Sequence, residues 1–154
     1  MIAPAATGDS IVELEIESIA SGGNGVGRES GMVVFVPRSA PGDRVRARVP
    51  SPSGKRFAVG DLVEVGRPSL QRVDPPCPHY RDDRCGGCQL QHLSYSAQLD
   101  AKRVIVRDTL TRIGKRTIEL PTIRPSDREW RYRGKLTLAM RRRAGRWLIG
   151  LHPY

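Results

Sequence analysis

The sequence predicts a mainly β fold with one α-helix: a small five-stranded barrel followed by an α+β half that is incomplete. Three observations carry this expectation. Residues 10–67 hold five short strand-like runs separated by Gly, Pro, Asn and Asp turn signals, at the spacing of a small all-β unit. A single stretch after Ser94 places apolar residues at helical intervals. Beyond that stretch lies one hairpin, and one helix with one hairpin cannot bury each other well. The expected organisation is a loose tail at 1–9, the barrel at 10–67, a linker with a cysteine motif at 68–93, and the helix plus hairpin at 94–154.

In the first run Val12, Leu14 and Ile16 alternate with Glu13, Glu15 and Glu17, the period of a strand with one buried face. The turn Ser21-Gly22-Gly23-Asn24-Gly25 leads to a short edge strand at residues 26–28. After a second turn at Glu29-Ser30-Gly31, residues 32–36 read as a buried strand. In the next run Val45, Ala47 and Val49 alternate with Arg44, Arg46 and Arg48, so one face is basic. Residues 57–65 form the last strand, interrupted at Gly60-Asp61. Closure into a barrel removes the exposed edges of so small a sheet. Gly23-Asn24-Gly25-Val26-Gly27, with Asp43 downstream, superficially has the form of a dinucleotide loop. Strand pattern comes after it, so no helix N-terminus is offered to a phosphate, and turn glycines are the better account.

Residues 68–78 form a proline-rich linker. The helix starts at Ser94 as N-cap and ends at Gly114 as a C′ glycine, with Tyr95, Leu99, Val106, Leu110 and Ile113 on its apolar face. Residues 130–140 read as a strand, Ala144-Gly145 as a turn, and residues 147–151 as the returning strand.

A chain of 154 residues with 38% hydrophobic and 27% charged content fits a globular protein of one domain or two small ones. No run reaches the length of a membrane span, and residues 1–7 have no secretory signal, so a cytoplasmic protein without a membrane partner is expected. The net charge is +10. Residues 1–76 carry nine Lys/Arg and nine Asp/Glu, and residues 77–154 carry seventeen and seven, so the whole excess lies in the second half. That asymmetry points to a polyanion, because neutralising phosphates releases counterions. The densest set is Arg131, Arg133, Lys135, Arg141, Arg142 and Arg143, with Arg146 beside them. Arginine forks onto phosphates and stacks on bases, so these are the candidate RNA-binding residues. Trp130, Tyr132 and Trp147 are open to two readings, stacking on unpaired bases or hairpin core, and core is favoured for the tryptophans.

Cys77, Cys85 and Cys88 are the only cysteines and fall within twelve residues. An odd, clustered set argues against a disulfide framework and for metal or redox chemistry. Cys85-Gly86-Gly87-Cys88 lets two thiolates converge through a glycine turn, and Arg81 and Arg84 favour the thiolate form. Three sulfurs leave a four-ligand shell one short, to be completed from further along the chain or by His79 or His92.

The run Cys85-Gly86-Gly87-Cys88-Gln89-Leu90-Gln91-His92-Leu93-Ser94-Tyr95, continuing to Gln98, Leu99 and Lys102, resembles the RNA m5U methyltransferase family, which methylates uridine C5 in ribosomal or transfer RNA using S-adenosylmethionine. Arg72-Val73-Asp74-Pro75-Pro76-Cys77-Pro78-His79-Tyr80 resembles that family's entry to its cluster, residues 10–67 its OB-like TRAM β-barrel, and Trp130-Arg131-Tyr132-Arg133-Gly134-Lys135 the start of its central domain. The resemblance implies that Cys77, Cys85 and Cys88 are three of four ligands to a 4Fe-4S cluster, with the fourth beyond Tyr154. It departs in the first spacing, C-x7-C here against the commoner C-x5-C, with Asp82 and Asp83 as candidate extra residues. The expectation is therefore an RNA-binding N-terminal portion of such an enzyme. It would act as a monomer and be inactive alone, with no catalytic residues and no S-adenosylmethionine pocket. The alternative is a stand-alone TRAM-type RNA-binding module with a structural Cys3His zinc site.

Overall fold

The computed structural model describes residues 8–51, 56–83 and 85–152. Most of the expected tail, residues 1–7, and Arg84 lie outside the described residues. The first half consists of β1 (Ser10–Glu15), β2 (Ser18–Ile19), β3 (Gly25–Glu29), β4 (Met32–Val36), β5 (Arg44–Val49), β6 (Phe57–Val59) and β7 (Asp61–Arg67). They lie in two sheets of order β1-β5-β7 and β2-β3-β4-β6.

The five expected strands become seven because two of them bend. The chain leaves β5 after Glu15, and the Glu17 amide then donates to Val26 O at 2.8 Å, so its continuation pairs with β3. The last strand likewise runs parallel to β4 through β6, donates from Gly60 N to Phe35 O at 2.9 Å, and turns to pair antiparallel with β5 as β7. With each bent strand counted once, the pairings form a ring: first strand with β3, β3 with β4, β4 with the last strand, the last strand with β5, and β5 with the first. β3, expected as an edge over residues 26–28, therefore lies between β2 and β4, with Gly25 and Val26 paired on both sides.

The inside of the ring is a core of Leu14, Ile16, Val34, Val36, Val45, Ala47 and Val49, flanked by Val12, Met32, Ala58, Leu62 and Val65. These are the inward positions of each alternating run. Gly25 and Gly27 belong to β3 rather than to a turn: a Cβ at Gly25 would lie 2.9 Å from Ile16 Cγ2, and one at Gly27 3.0 Å from Glu15 O. Those glycines let the first strand cross closely over β3 where it bends.

The second half contains α1 (Pro78–Asp82), α2 (Tyr95–Arg112), β8 (Ala139–Arg143) and β9 (Arg146–Gly150). The short α1 adds a second helix to the one expected. Ser94 caps α2 by accepting from Ala97 N at 3.3 Å. At the other end the left-handed residue is Lys115 (φ 52°) rather than Gly114, and Arg116 N returns to Leu110 O. The face of α2 that packs is also not the expected one. Ala97, Ala101 and Ile105 meet Ile19, Ala40, Leu90 and Leu93, while Val106, Leu110 and Ile113 are exposed. Small alanines let the helix approach the barrel, and the bulky stripe is left outside. Residues 130–138, expected as strand, are irregular, and the hairpin begins only at Ala139. Its two-residue turn holds Ala144 at φ 47° and Gly145 at φ 77°, the primed geometry that matches strand twist. No helix among the described residues is long and apolar enough to cross a membrane.

Candidate metal centre and nucleic-acid interface

The polar contacts that hold the cysteine segment centre on a barrel loop, residues 37–43, between β4 and β5. Asp43 is fully buried. Its carboxylate accepts from Ala40 N (2.7 Å) and Ser69 N (2.8 Å) and pairs with Arg72 at 2.5 Å. Burial alone would raise the Asp43 pKa; the hydrogen bonds from Arg72, Ala40 and Ser69 and the charge of Arg72 outweigh it and hold the carboxyl below its ordinary value. Arg72 also donates to Arg38 O at 2.9 Å. The linker then pairs with the end of the cysteine motif, through Val73 N to His92 O and Ser94 N to Gln71 O, both 2.9 Å.

His92, one of the possible ligands, belongs to the core. Its Nε2 donates to Ser39 O at 3.0 Å and its Nδ1 accepts from Tyr80 Oη at 2.6 Å, so both ring nitrogens are engaged. Burial pushes its pKa down to about 4, which keeps the imidazole neutral. It is therefore not placed to bind a metal. His79 is exposed on α1 and bonds Asp83 through Nδ1 at 2.5 Å.

Cys77 precedes α1, and Cys85 and Cys88 come after it; all three are free thiols at or near the surface. The Gly87 amide points at Cys85 Sγ, at 3.5 Å. Gly86 N donates to His152 O at 3.0 Å, and a Cβ at Gly87 would lie 2.6 Å from Leu151. The backbone just after β9 thus lies against the C-x2-C turn. Among the described residues no three Cys, His, Asp or Glu side chains converge as a metal-holding group. The segment nevertheless fits a thiolate-bound metal in its donor chemistry: three free thiols in one short stretch and an N–H directed at one sulfur.

The basic candidates lie apart from this segment in sequence. Arg141, Arg142 and Arg143 are consecutive exposed residues of β8. Arg141 and Arg143 share a face, with Arg143 directly opposite Arg146, while Arg142 is opposite Trp147 and lies 5.9 Å from its ring centre. Arg131, Arg133 and Lys135 lie on the irregular approach to the hairpin and are exposed. Among the described residues none of these six, nor Arg146, joins an ion pair. Trp130 (49% exposed), Tyr132 and Trp147 (62%) are surface residues, which corrects the reading of the tryptophans as core. The barrel's own basic face is largely matched by carboxylates in register. Arg46 sits between Glu13 and Glu64 and bonds the latter at 3.0 Å, Arg48 is opposite Asp61, and Arg44 sits between Glu15 and Arg67.

Sequence reasoning missed Arg38, Tyr80, Asp43 and Arg72 as the supports of the cysteine segment. Arg38, Asp43 and Arg72 are loop or linker residues and Tyr80 lies in the single-turn α1, so no periodicity marks any of them.

Residues 9–63 match the TRAM domain model. Curated relatives extend the likeness over most of the chain. An uncharacterized RNA methyltransferase of Protochlamydia amoebophila is 43% identical over 130 residues, covering 84% of this chain and 29% of the relative. One of Halalkalibacterium halodurans is 39% identical over 147 residues (94% and 31%), and one of Thermosynechococcus vestitus 41% over 143 residues (92% and 31%). The chain spans about three tenths of the length of these relatives. Residues 9–63 are a TRAM domain, and the chain is similar to proteins named RNA methyltransferases from the barrel through the cysteine motif and into the segment beyond.

Proposed function

We propose that this chain is the RNA-docking and iron–sulfur-bearing portion of an S-adenosylmethionine-dependent RNA uridine-C5 methyltransferase of the cytoplasm, acting on ribosomal or transfer RNA. The observation that carries the RNA reading is the contrast between the two basic surfaces. In the barrel Arg46 and Arg48 stand opposite carboxylates and Arg44 stands between Glu15 and Arg67, whereas in the hairpin no carboxylate among the described residues is in register with Arg141, Arg142 or Arg143, and Arg143 stands opposite Arg146. Like charges directly opposite across a hairpin are unfavourable, and a polyanion laid along them relieves the repulsion. Methyl transfer itself is not assigned to these residues, because all three cysteines of the chain fall in the metal set and none is left to attack uracil C6.

Cys77, Cys85 and Cys88 would hold the cluster. A 4Fe-4S group bound there supplies a cross-link between the start of α1 and the C-x2-C turn. Anaerobic reconstitution with iron and sulfide should give broad visible absorbance with iron bound in proportion to protein. Stoichiometric zinc with no iron uptake would move the site to the structural-zinc reading. For RNA, fluorescence anisotropy on one oligonucleotide should give a log affinity that falls linearly with log salt; a flat response would remove the phosphate-docking role.

A further inference from the structure

We infer that Arg38, on the barrel, is the positioning residue of the cysteine site. Arg38 stands in the loop after β4 at φ 61°, a left-handed conformation that a non-glycine residue seldom adopts. Arg72 bonds its carbonyl and holds it there. From that position its guanidinium does three things. One nitrogen donates to Tyr80 O, the other donates to Cys85 O at 3.3 Å, and the plane lies 4.1 Å from the centre of the Tyr80 ring. Tyr80 is fixed in turn by its hydroxyl, which donates to His92 Nδ1 at 2.6 Å with Gln89 O also 3.0 Å away. A second barrel contact bounds the same motif, since a Cβ at Gly23 would lie 2.5 Å from Gln89 Cβ.

The two carbonyls that Arg38 grips stand on either side of Arg81, Asp82 and Asp83. Cys85 N also donates to His79 O at 3.2 Å, so the same stretch is pinched closed by backbone. Asp82 and Asp83, the candidate extra residues of the C-x7-C spacing, thereby lie at the end of α1 between the two clamped carbonyls. The position of Cys85 relative to α1, and so to Cys77, is set by the barrel rather than by the number of residues between them. The guanidinium gives a separate nitrogen to each carbonyl while its plane lies over the Tyr80 ring, a set of three contacts that the single nitrogen of a lysine ammonium does not reproduce.

The iron readout rests on the metal assignment above; a second readout does not. Arg38→Lys keeps the charge and removes the fork. Arg38→Asn, whose side chain is tolerated in the left-handed region, serves if the lysine variant fails to fold. In the metal-free full chain, site-resolved alkylation with iodoacetamide should run severalfold faster at Cys85 in the variant, with Cys77 and Cys88 unchanged and the circular dichroism that of the parent. After reconstitution the variant should retain severalfold less iron and sulfide. An unchanged Cys85 rate in a folded variant overturns the proposal. A parent that takes up neither iron nor zinc overturns the metal assignment instead, while the alkylation comparison still decides the role of Arg38.

Discussion

His92 carries a measurable pH signature. Its folded pKa of about 4 lies below the ordinary histidine value of 6.5, so between those limits the unfolded chain binds a proton that the native chain refuses. The resulting stability is complete above pH 6.5 and is lost as pH falls towards 4, by about 3 kcal/mol at the lower end. Thermal midpoints measured across that window should fall for the parent and fall less for His92→Gln; equal slopes would remove His92 from the buried network. Asp43 acts lower down. Its depressed carboxyl contributes stability that is present above the ordinary aspartate value and is lost as pH falls through the folded one. Arg72→Ala leaves that carboxylate buried without its cation, and urea unfolding should show a loss of about 3–5 kcal/mol. A loss below about 1 kcal/mol, the scale of an exposed pair, would mean that water reaches the site. At this scale the sequence was informative about residue type and poor about placement. The cysteines announced themselves by spacing. His92, read as a possible ligand, is a core residue because Ser39 and Tyr80 reach it from distant positions in the chain.

The helix α2 carries two apolar stripes, and periodicity favoured the bulkier one. Packing selected the alanines, since the distance between helix and barrel is set by the smallest side chains that can meet there. Ala97→Leu should therefore cost about 1–3 kcal/mol by overpacking, whereas Val106→Ala, on the exposed stripe, should change stability by less than about 0.5 kcal/mol. Denaturant midpoints of the two variants check this, and similar losses would reverse the assignment of faces. The strands were legible because alternation survives bending. Their pairing was not, because nothing in the alternation shows where one strand changes partner. The same pairing separates two sets of arginines that look alike in sequence. Replacing Arg141, Arg142 and Arg143 with Ala should flatten the salt dependence of RNA affinity by roughly 0.7 per lost phosphate contact on single strands. The Arg44, Arg46 and Arg48 triple variant should change the slope less, because those charges already face Glu13, Glu15, Asp61 and Glu64, although Arg67, opposite Arg44, is a like charge in register. The reverse order of slopes would place the RNA surface on the barrel.

Across the whole molecule, burial is uneven. The fully buried hydrophobic residues lie in the barrel and in the segment docked on it, and none lies beyond Ala97 among the described residues. The hairpin leaves Met140, Trp147, Leu148 and Ile149 exposed, and a two-stranded ribbon with so little cover is marginally stable. Native-state hydrogen exchange should show barrel amides opening only with global unfolding and the amides of β8 and β9 exchanging far sooner. Equal protection would mean that the hairpin is covered in solution. That imbalance was legible in outline, since one helix and one hairpin are too few to enclose a core. The docking of the cysteine motif onto the barrel was not, because it depends on polar contacts made by an irregular loop.

The order of those parts along the chain also matters during synthesis. The ring of strands closes only when the last strand, through Arg67, pairs with both β4 and β5. Cys77 lies ten residues further on. As the polypeptide leaves the ribosome, the barrel and its gripping loop therefore emerge ahead of all three thiols. Each cysteine thus follows, in order of synthesis, every strand of the barrel that receives it.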